Sequence, residues 1–234
     1  MPFRSPRPAS GRREPSIPPV LPSGVTDFTR EAQDLLRDPS QFKWYTVTLL
    51  MFVAYVYSVE IERRRWDVVM AGVVVWLVDW FNEIANALVL HFTDRAAIWT
   101  VTGDTSYLIL IGLTIEISFM FAVMGVVYAK SLPADPRLRI LGVPNRLALA
   151  LFFSCVAVLV EILLHETGYF HWEYWWWNVP FVPLIVIFGY LTFFLAAAYV
   201  YDLPDPRKQV RVVGAMAAFI AAALLVFGPI LEWI

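Results

Sequence analysis

Apolar residues run along this chain in six long blocks, about 44–61, 66–91, 106–129, 147–165, 181–201 and 212–233, with short polar stretches between them. Each block approaches the roughly 20 residues that a helix needs to cross about 30 Å of hydrocarbon at about 1.5 Å per residue. Within a block no polar stripe recurs to face water, and no period of two marks alternating strands. The blocks are also about twice as long as the strands of a membrane barrel. The pattern therefore predicts an all-α fold, a polytopic transmembrane helix bundle of about six spans. Trp44, Tyr45, Trp66, Trp99, Trp172, Trp175, Trp176, Trp177 and Trp233 fall near block ends, where aromatic belts meet the headgroups.

The residues before the first block read differently. Positions 1–24 carry seven prolines and four arginines among few apolar residues, a composition that cannot bury enough surface to offset ordering and predicts a disordered tail. Over 25–42, Asp27, Glu31, Asp34 and Asp38 interleave with Phe28, Leu35 and Leu36, which predicts a short amphipathic helix at the membrane interface. Residues 43–234 then form the six-helix transmembrane domain.

Lysine and arginine set the expected orientation. Arg63, Arg64 and Arg65 follow the first block; Lys130, Arg137, Arg139 and Arg146 precede the fourth; Arg207, Lys208 and Arg211 lead into the sixth. By the positive-inside rule these loops are cytoplasmic, and both termini fall on the non-cytoplasmic side. The sequences at 131–137 and 202–208 share a Leu-Pro and Asp-Pro-Arg pattern, which is read as helix-stopping chemistry more readily than as a trace of duplication.

Composition narrows the partners. The chain is 59% hydrophobic and 16% charged with a net charge of −2, and its basic residues form no stripe, so nucleic acid is excluded as a partner. The lipid bilayer and a lipophilic small molecule are the expected partners, with a homo-oligomer or a larger membrane complex as the assembly. The lone cysteine, Cys155, has no mate for a disulfide and reads as a small apolar side chain.

The candidate chemistry lies in four acids inside the blocks, Asp79, Glu83, Glu116 and Glu161, which have no lysine or arginine within the hydrocarbon region to balance them. A carboxylate at mid-membrane costs about 2.5–3.5 kcal/mol on insertion scales, so each is expected to face the bundle interior and find a proton, a cation or a polar partner. Asp79 and Glu83 are four apart and share one helix face; Glu161 and His165 share another. With His171 close by on the same side of the membrane, Glu83, Glu116, Glu161, His165 and His171 form a candidate ligand set for a divalent transition metal. The metal-free alternative uses Asp79, Glu83, Glu116 and Glu161 as acid and base toward an alkene or epoxide, as in an isomerase, cyclase or hydratase. Glu60 and Glu62 read as counter-charges to the arginine cluster beside them, and Asp104 as a helix cap.

The aromatic-rich stretch 168–183 fits either a lid over the bundle mouth or a belt at the interface. Three function classes follow. The leading one is a membrane enzyme acting on a lipid, terpenoid or quinone-like substrate through the acid and histidine cluster. The others are a proton-coupled carrier using the same acids, and a structural or assembly subunit whose acids meet a partner's arginine.

Overall fold

The computed structural model describes residues 24–234. The proline-rich stretch 1–23, expected to be a disordered tail, lies outside the described residues. Six apolar helical segments cross the molecule in alternating directions. They are α2 (Tyr45–Glu62), α3 (Trp66–Thr93), α4 (Ile115–Ser131), α5 (Asn145–Glu166), a fifth segment and α8 (Pro206–Leu225). The fifth joins α6 (Val182–Leu184), a π-helical turn at Ile185–Tyr190 and α7 (Leu191–Tyr201). Five of the six are long and apolar enough to cross a membrane, while α4, at 17 residues, is one residue short of that length. The fold is the expected polytopic helical bundle.

One boundary differs from the expectation in a way that matters. The apolar run 106–129 is not one helix: Leu108–Leu110 and Leu113–Thr114 pair as a hairpin, β2 and β3, and α4 begins only at Ile115. Thr114 caps it, its hydroxyl accepting from the Ile117 amide at 3.2 Å. Side chains of Leu108, Leu110 and Leu113 are buried, so the hairpin is as apolar as a span and hydropathy alone merges the two.

Helix α3 is the centre of the bundle and packs on α2, α4, α7 and α8. Without a strong hydrophobic drive between helices in lipid, close packing decides association, and small residues allow it. Gly72 of α3 faces Gly125 of α4 so closely that a Cβ added at Gly125 would stand 2.7 Å from the Gly72 carbonyl oxygen and 2.8 Å from Val75 Cβ. Around this crossing lie Val68, Val74, Val75 and Val126, with Tyr128 and Phe194 beside them, all closed to solvent. The Tyr128 and Phe194 rings meet with centroids 4.9 Å apart.

The two ends of the bundle are built differently. At one end gather the basic loops that follow α2, α4 and α7. Arg146 grips Asp202 with two bonds, at 2.9 and 2.6 Å, and lies over the Tyr201 ring. Lys130 pairs with Glu60, a carboxyl only 2% exposed. Glu60 is therefore partnered by the end of α4 and not by the neighbouring arginine cluster, because the last turn of α2 rotates it inward. The hairpin β4 (Arg139–Ile140) and β5 (Val143–Pro144) turns through Leu141 and Gly142, both at positive φ, the conformation a two-residue hairpin turn requires.

The opposite end carries a folded cap. Strand β1 (Trp99–Val101) pairs antiparallel with β6 (Phe170–Trp172), in the register Trp99 to Trp172, Thr100 to His171 and Val101 to Phe170. The nine-residue helix α1 (Asp27–Leu35) lies on these strands, N-capped by Thr26. Thr26 and Thr29 both donate to Glu173 Oε1 at 3.0 Å, and Phe28 stacks on the His171 ring at 3.7 Å between centroids. Asp104, expected as a helix cap, instead pairs with Lys43.

Candidate functional site

Three of the four expected acids meet in one cavity. Asp79 and Glu83, one turn apart on α3, face Glu161 of α5 across a cavity of about 120 Å³. The walls are Met120, Phe121 and Met124 from α4, Val156, Ala157 and Val160 from α5, and Gly189, Tyr190 and Phe193 from the fifth segment. Trp99, Phe170 and Trp177 from the cap form the roof. Among the described residues no lysine, arginine or histidine lines it.

Glu83 and Glu161 are each held through one oxygen, with the other left over. Glu83 Oε1 accepts from the Trp99 indole at 2.9 Å, and Glu161 Oε1 from the Trp172 indole at 3.2 Å. Asp79 Oδ2, Glu83 Oε2 and Glu161 Oε2 are buried and have no hydrogen-bond partner among the described residues. Buried polar atoms are nearly always satisfied, and exceptions cluster where a ligand or reaction needs them. The π-helical turn delivers Tyr190 to the same cavity, with its hydroxyl beside the Glu161 carboxyl. Such turns occur mostly as local insertions in α-helices, often at functional sites.

The tryptophan partners are positioned by the cap. The buried Asn86 side chain accepts from the Ile98 and Trp99 amides at 2.7 and 3.2 Å and donates to the Trp99 carbonyl at 2.8 Å. It thereby fastens β1 to α3 one turn above Glu83. Gly112, in the β2–β3 hairpin, leaves the space that the Trp99 ring occupies: a Cβ there would stand 2.5 Å from both Trp99 Cδ1 and Nε1. Gly112→Ala is expected to push the indole off Glu83 and to cost about 1–3 kcal/mol of stability, because the added Cβ would overlap the ring. Tryptophan fluorescence and thermal unfolding measured together check it; an unchanged spectrum with an unchanged melt contradicts the positioning role.

The remaining expected site residues lie elsewhere. Glu116 falls in the first turn of α4, because the residues before it form a hairpin and not helix, and its carboxyl accepts from the Tyr45 hydroxyl and the Ser106 amide. His165 sets Nδ1 3.1 Å from the Phe170 carbonyl oxygen and stacks on Trp172. His171 sits in β6, with Nε2 2.9 Å from the Thr102 hydroxyl. Among the described residues no three His, Cys, Asp or Glu side chains stand together in a group that could hold a metal ion. The structure does not bring the expected metal set of Glu83, Glu116, Glu161, His165 and His171 together: the histidines meet partners in the cap, and Glu116 lies outside the cavity, with Oε1 on Tyr45 and Ser106 and Oε2 buried without a partner among the described residues. Of the four expected acids, Asp79, Glu83 and Glu161 line the cavity and Glu116 does not.

His171 carries a pH dependence of its own. Burial is the largest cause pushing its pKa below the ordinary 6.5, His165 adds to it, and the Gly168 backbone, Glu173 and Glu31 oppose it. A folded value below the unfolded one means that the unfolded state binds the proton better. The stability contribution is then complete above about pH 6.5 and is lost as pH falls through the folded value. Hydrogen exchange of Asp27–Leu35, corrected for intrinsic rates, should therefore show a looser α1 at pH 5 than at pH 8, with the difference removed in His171→Gln. Equal protection at both pH values contradicts it.

Trp99, Trp172, Trp177 and Tyr190 are the site residues that sequence reasoning did not assign, since tryptophans near span ends read first as a belt. The signal available was their pairing in number with unpartnered acids, indole N–H groups being donors that a carboxyl in oil requires.

Comparison with known proteins agrees with the architecture. No solved structure matches the chain. Among its relatives is a protein of Archaeoglobus fulgidus, named only as an uncharacterized protein, 49% identical over 209 residues that cover 89% of this chain and 99% of the relative. A second from the same organism, named in the same way, is 50% identical over 56 residues, covering 24% of this chain and all of the relative. A family model described as an uncharacterized membrane protein family matches residues 26–229, and the chain, with its helical bundle and its buried acids, belongs to that membrane protein family.

Proposed function

We propose that this protein is a membrane enzyme that adds and removes protons on an alkene-bearing lipophilic substrate, with Glu83 and Glu161 as the acid and base pair. The observation that carries the reading is the set of three orphaned carboxyl oxygens turned into one cavity that, among the described residues, holds no cationic side chain. Three ionised carboxylates would not be stable together in such a place. Charge balance leaves two arrangements: carboxyls that hold protons to give away, or a positive charge brought in by the ligand.

Proton addition to an alkene joins the two. A carboxyl O–H breaks as a C–H bond forms, the alkene π electrons make that bond, and the positive charge left on carbon is matched by the new carboxylate. The aromatic faces of Phe121, Tyr190, Phe193, Trp99 and Trp177 surround this position, and π faces attract positive charge. Loss of a neighbouring proton to the second carboxylate completes an isomerisation or cyclisation, while capture of water, whose surplus proton passes to that carboxylate, completes a hydration. Tyr190, beside Glu161, is placed to pass the proton on. Asp79 lies one turn, about 6 Å, further along α3 and serves as the proton reserve.

The same reading orients the molecule with the basic loops in the cytoplasm and the cap, with the described chain ends, on the other side. The cap helix α1, with Phe28 at 45% exposure, then lies at the outer interface. The test is to incubate the purified protein in detergent with lipid extracts of a host that carries it and to follow individual lipids by mass spectrometry. Conversion of one lipid by the wild type, and none by the triple variant Asp79→Asn, Glu83→Gln, Glu161→Gln, supports the enzyme. Equal lipid profiles for both proteins overturn it. Proton movement across sealed vesicles without lipid conversion would select the carrier instead.

A further inference from the structure

We propose that the cavity is entered sideways, from the hydrocarbon interior of the bilayer through a gap between α4 and α5, and that it takes an apolar molecule dissolved there. The inference rests on the reading of the cavity as a substrate site, and extends it to where the substrate comes from.

Three cavity-lining side chains face both ways. Met120 of α4 is 40% exposed, and Val156 and Val160 of α5 are 42% and 39% exposed, although all three also line the cavity. Behind them the wall is closed, with Phe121 at 5% and Phe193 at 4%. The opening is therefore framed by these three residues. Helices α4 and α5 touch each other far less than α3 and α4 do.

Depth decides what can use the gap. Val160 lies six residues before the end of α5 at Glu166, and Met120 five residues into α4, so both edges stand about 8–9 Å below the helix ends at the cap side. A water-soluble ligand would have to cross hydrocarbon to reach this opening, and a lipid with a large charged head would be held at the headgroups above it. Overhead, Trp99 and Trp177 pack at 6.0 Å between centroids and Phe170 joins them as a roof beneath β1 and β6. The frame is wholly apolar, and the carboxyls stand behind it. A molecule that is apolar along the portion that enters, and that carries its reactive group within that portion, fits this order of surfaces.

The experiment uses the full chain in phosphatidylcholine vesicles with two photoactivated carbene probes, an apolar aryl diazirine that dissolves in the bilayer and a charged diazirine confined to water. Labelled residues are mapped by peptide mass spectrometry. The apolar probe is expected to label Phe121 and Phe193 as well as Phe152, a lipid-facing residue of α5 that is 60% exposed. Plugging the gap with Val160→Trp should lower the label on Phe121 and Phe193 about tenfold, equivalent to about 1.4 kcal/mol of exclusion, and leave Phe152 unchanged. Val156→Trp is the second plug should the first fold poorly, and Leu163→Trp, outside the gap at 58% exposure, should change nothing.

Labelling of Phe152 without Phe121 and Phe193 overturns the proposal, as does labelling that neither plug reduces. Interior labelling by the charged probe also overturns it, since the cavity would then open to water. None of these readouts needs turnover. Interior labelling in a protein that converts no lipid leaves the portal standing and removes the catalytic reading, whereas turnover with an unlabelled interior does the reverse.

Discussion

Glu83→Gln and Glu161→Gln are each expected to lower lipid turnover by about 10²–10⁴-fold, the range that a positioned general acid or base supplies. The carboxamide keeps the shape of the side chain and a carbonyl oxygen, so the bonds from Trp99 to Glu83 and from Trp172 to Glu161 survive. What is lost is the exchangeable acid proton at the orphaned oxygen. Binding should be little changed, because the walls that would contact an apolar ligand are the methionines, valines and aromatic rings. The loss should therefore appear in kcat with KM nearly constant, the signature of a group used only in the transition state. Combining the two substitutions should add little, since both serve one reaction. A variant that loses activity together with its thermal transition would indicate a structural role instead.

The second large effect concerns assembly of the bundle. Gly125→Leu should prevent the protein from reaching its folded form, and Gly125→Ala should cost about 1–3 kcal/mol. At Gly125 the nearest atoms to an added Cβ are the Gly72 backbone and the Val75 Cβ, which have no flexible end to move aside. A larger residue must separate α3 from α4. That separation would also pull Asp79 and Glu83 away from the α4 side of the cavity, so fold and site fail together. Circular dichroism during thermal unfolding in detergent, with size exclusion of the purified variant, gives the measurement. By contrast Gly214, inside α8, meets nothing within 4 Å, and Gly214→Ala should not lower the transition.

The spans were legible because a membrane leaves an unmistakable mark: blocks of apolar residues of crossing length, with arginine and lysine concentrated in alternate loops. The acids were legible for the same reason, since charge is rare there and has to be explained. What the pattern hid was the hairpin at Leu108–Leu110 and Leu113–Thr114, whose buried leucines and isoleucines read as helix by hydropathy. That single misreading moved Glu116 from a helix end to mid-membrane and grouped it with acids that it does not meet. The indole partners were hidden differently. Glu83 and Trp99 are 16 residues apart and Glu161 and Trp172 are 11 apart, and they meet only because β1 and β6 fold back over the helix ends. Helical spacing describes neighbours on one face and says nothing of a strand that returns from beyond the cap. The histidines show the converse: near the acids in sequence, they are turned to the cap by Phe28, Thr102 and Phe170.

The central claim is that a carboxyl proton in this cavity is transferred to carbon. Its most direct measurement is made in deuterated water, with wild-type protein and lipid extract, reading non-exchangeable deuterium in the lipids by mass spectrometry. The account predicts deuterium on carbon in one lipid species, dependent on both Glu83 and Glu161. Wild-type conversion of a lipid with no carbon-bound deuterium, or deuterium that enters equally in the Glu83→Gln, Glu161→Gln double variant, contradicts it.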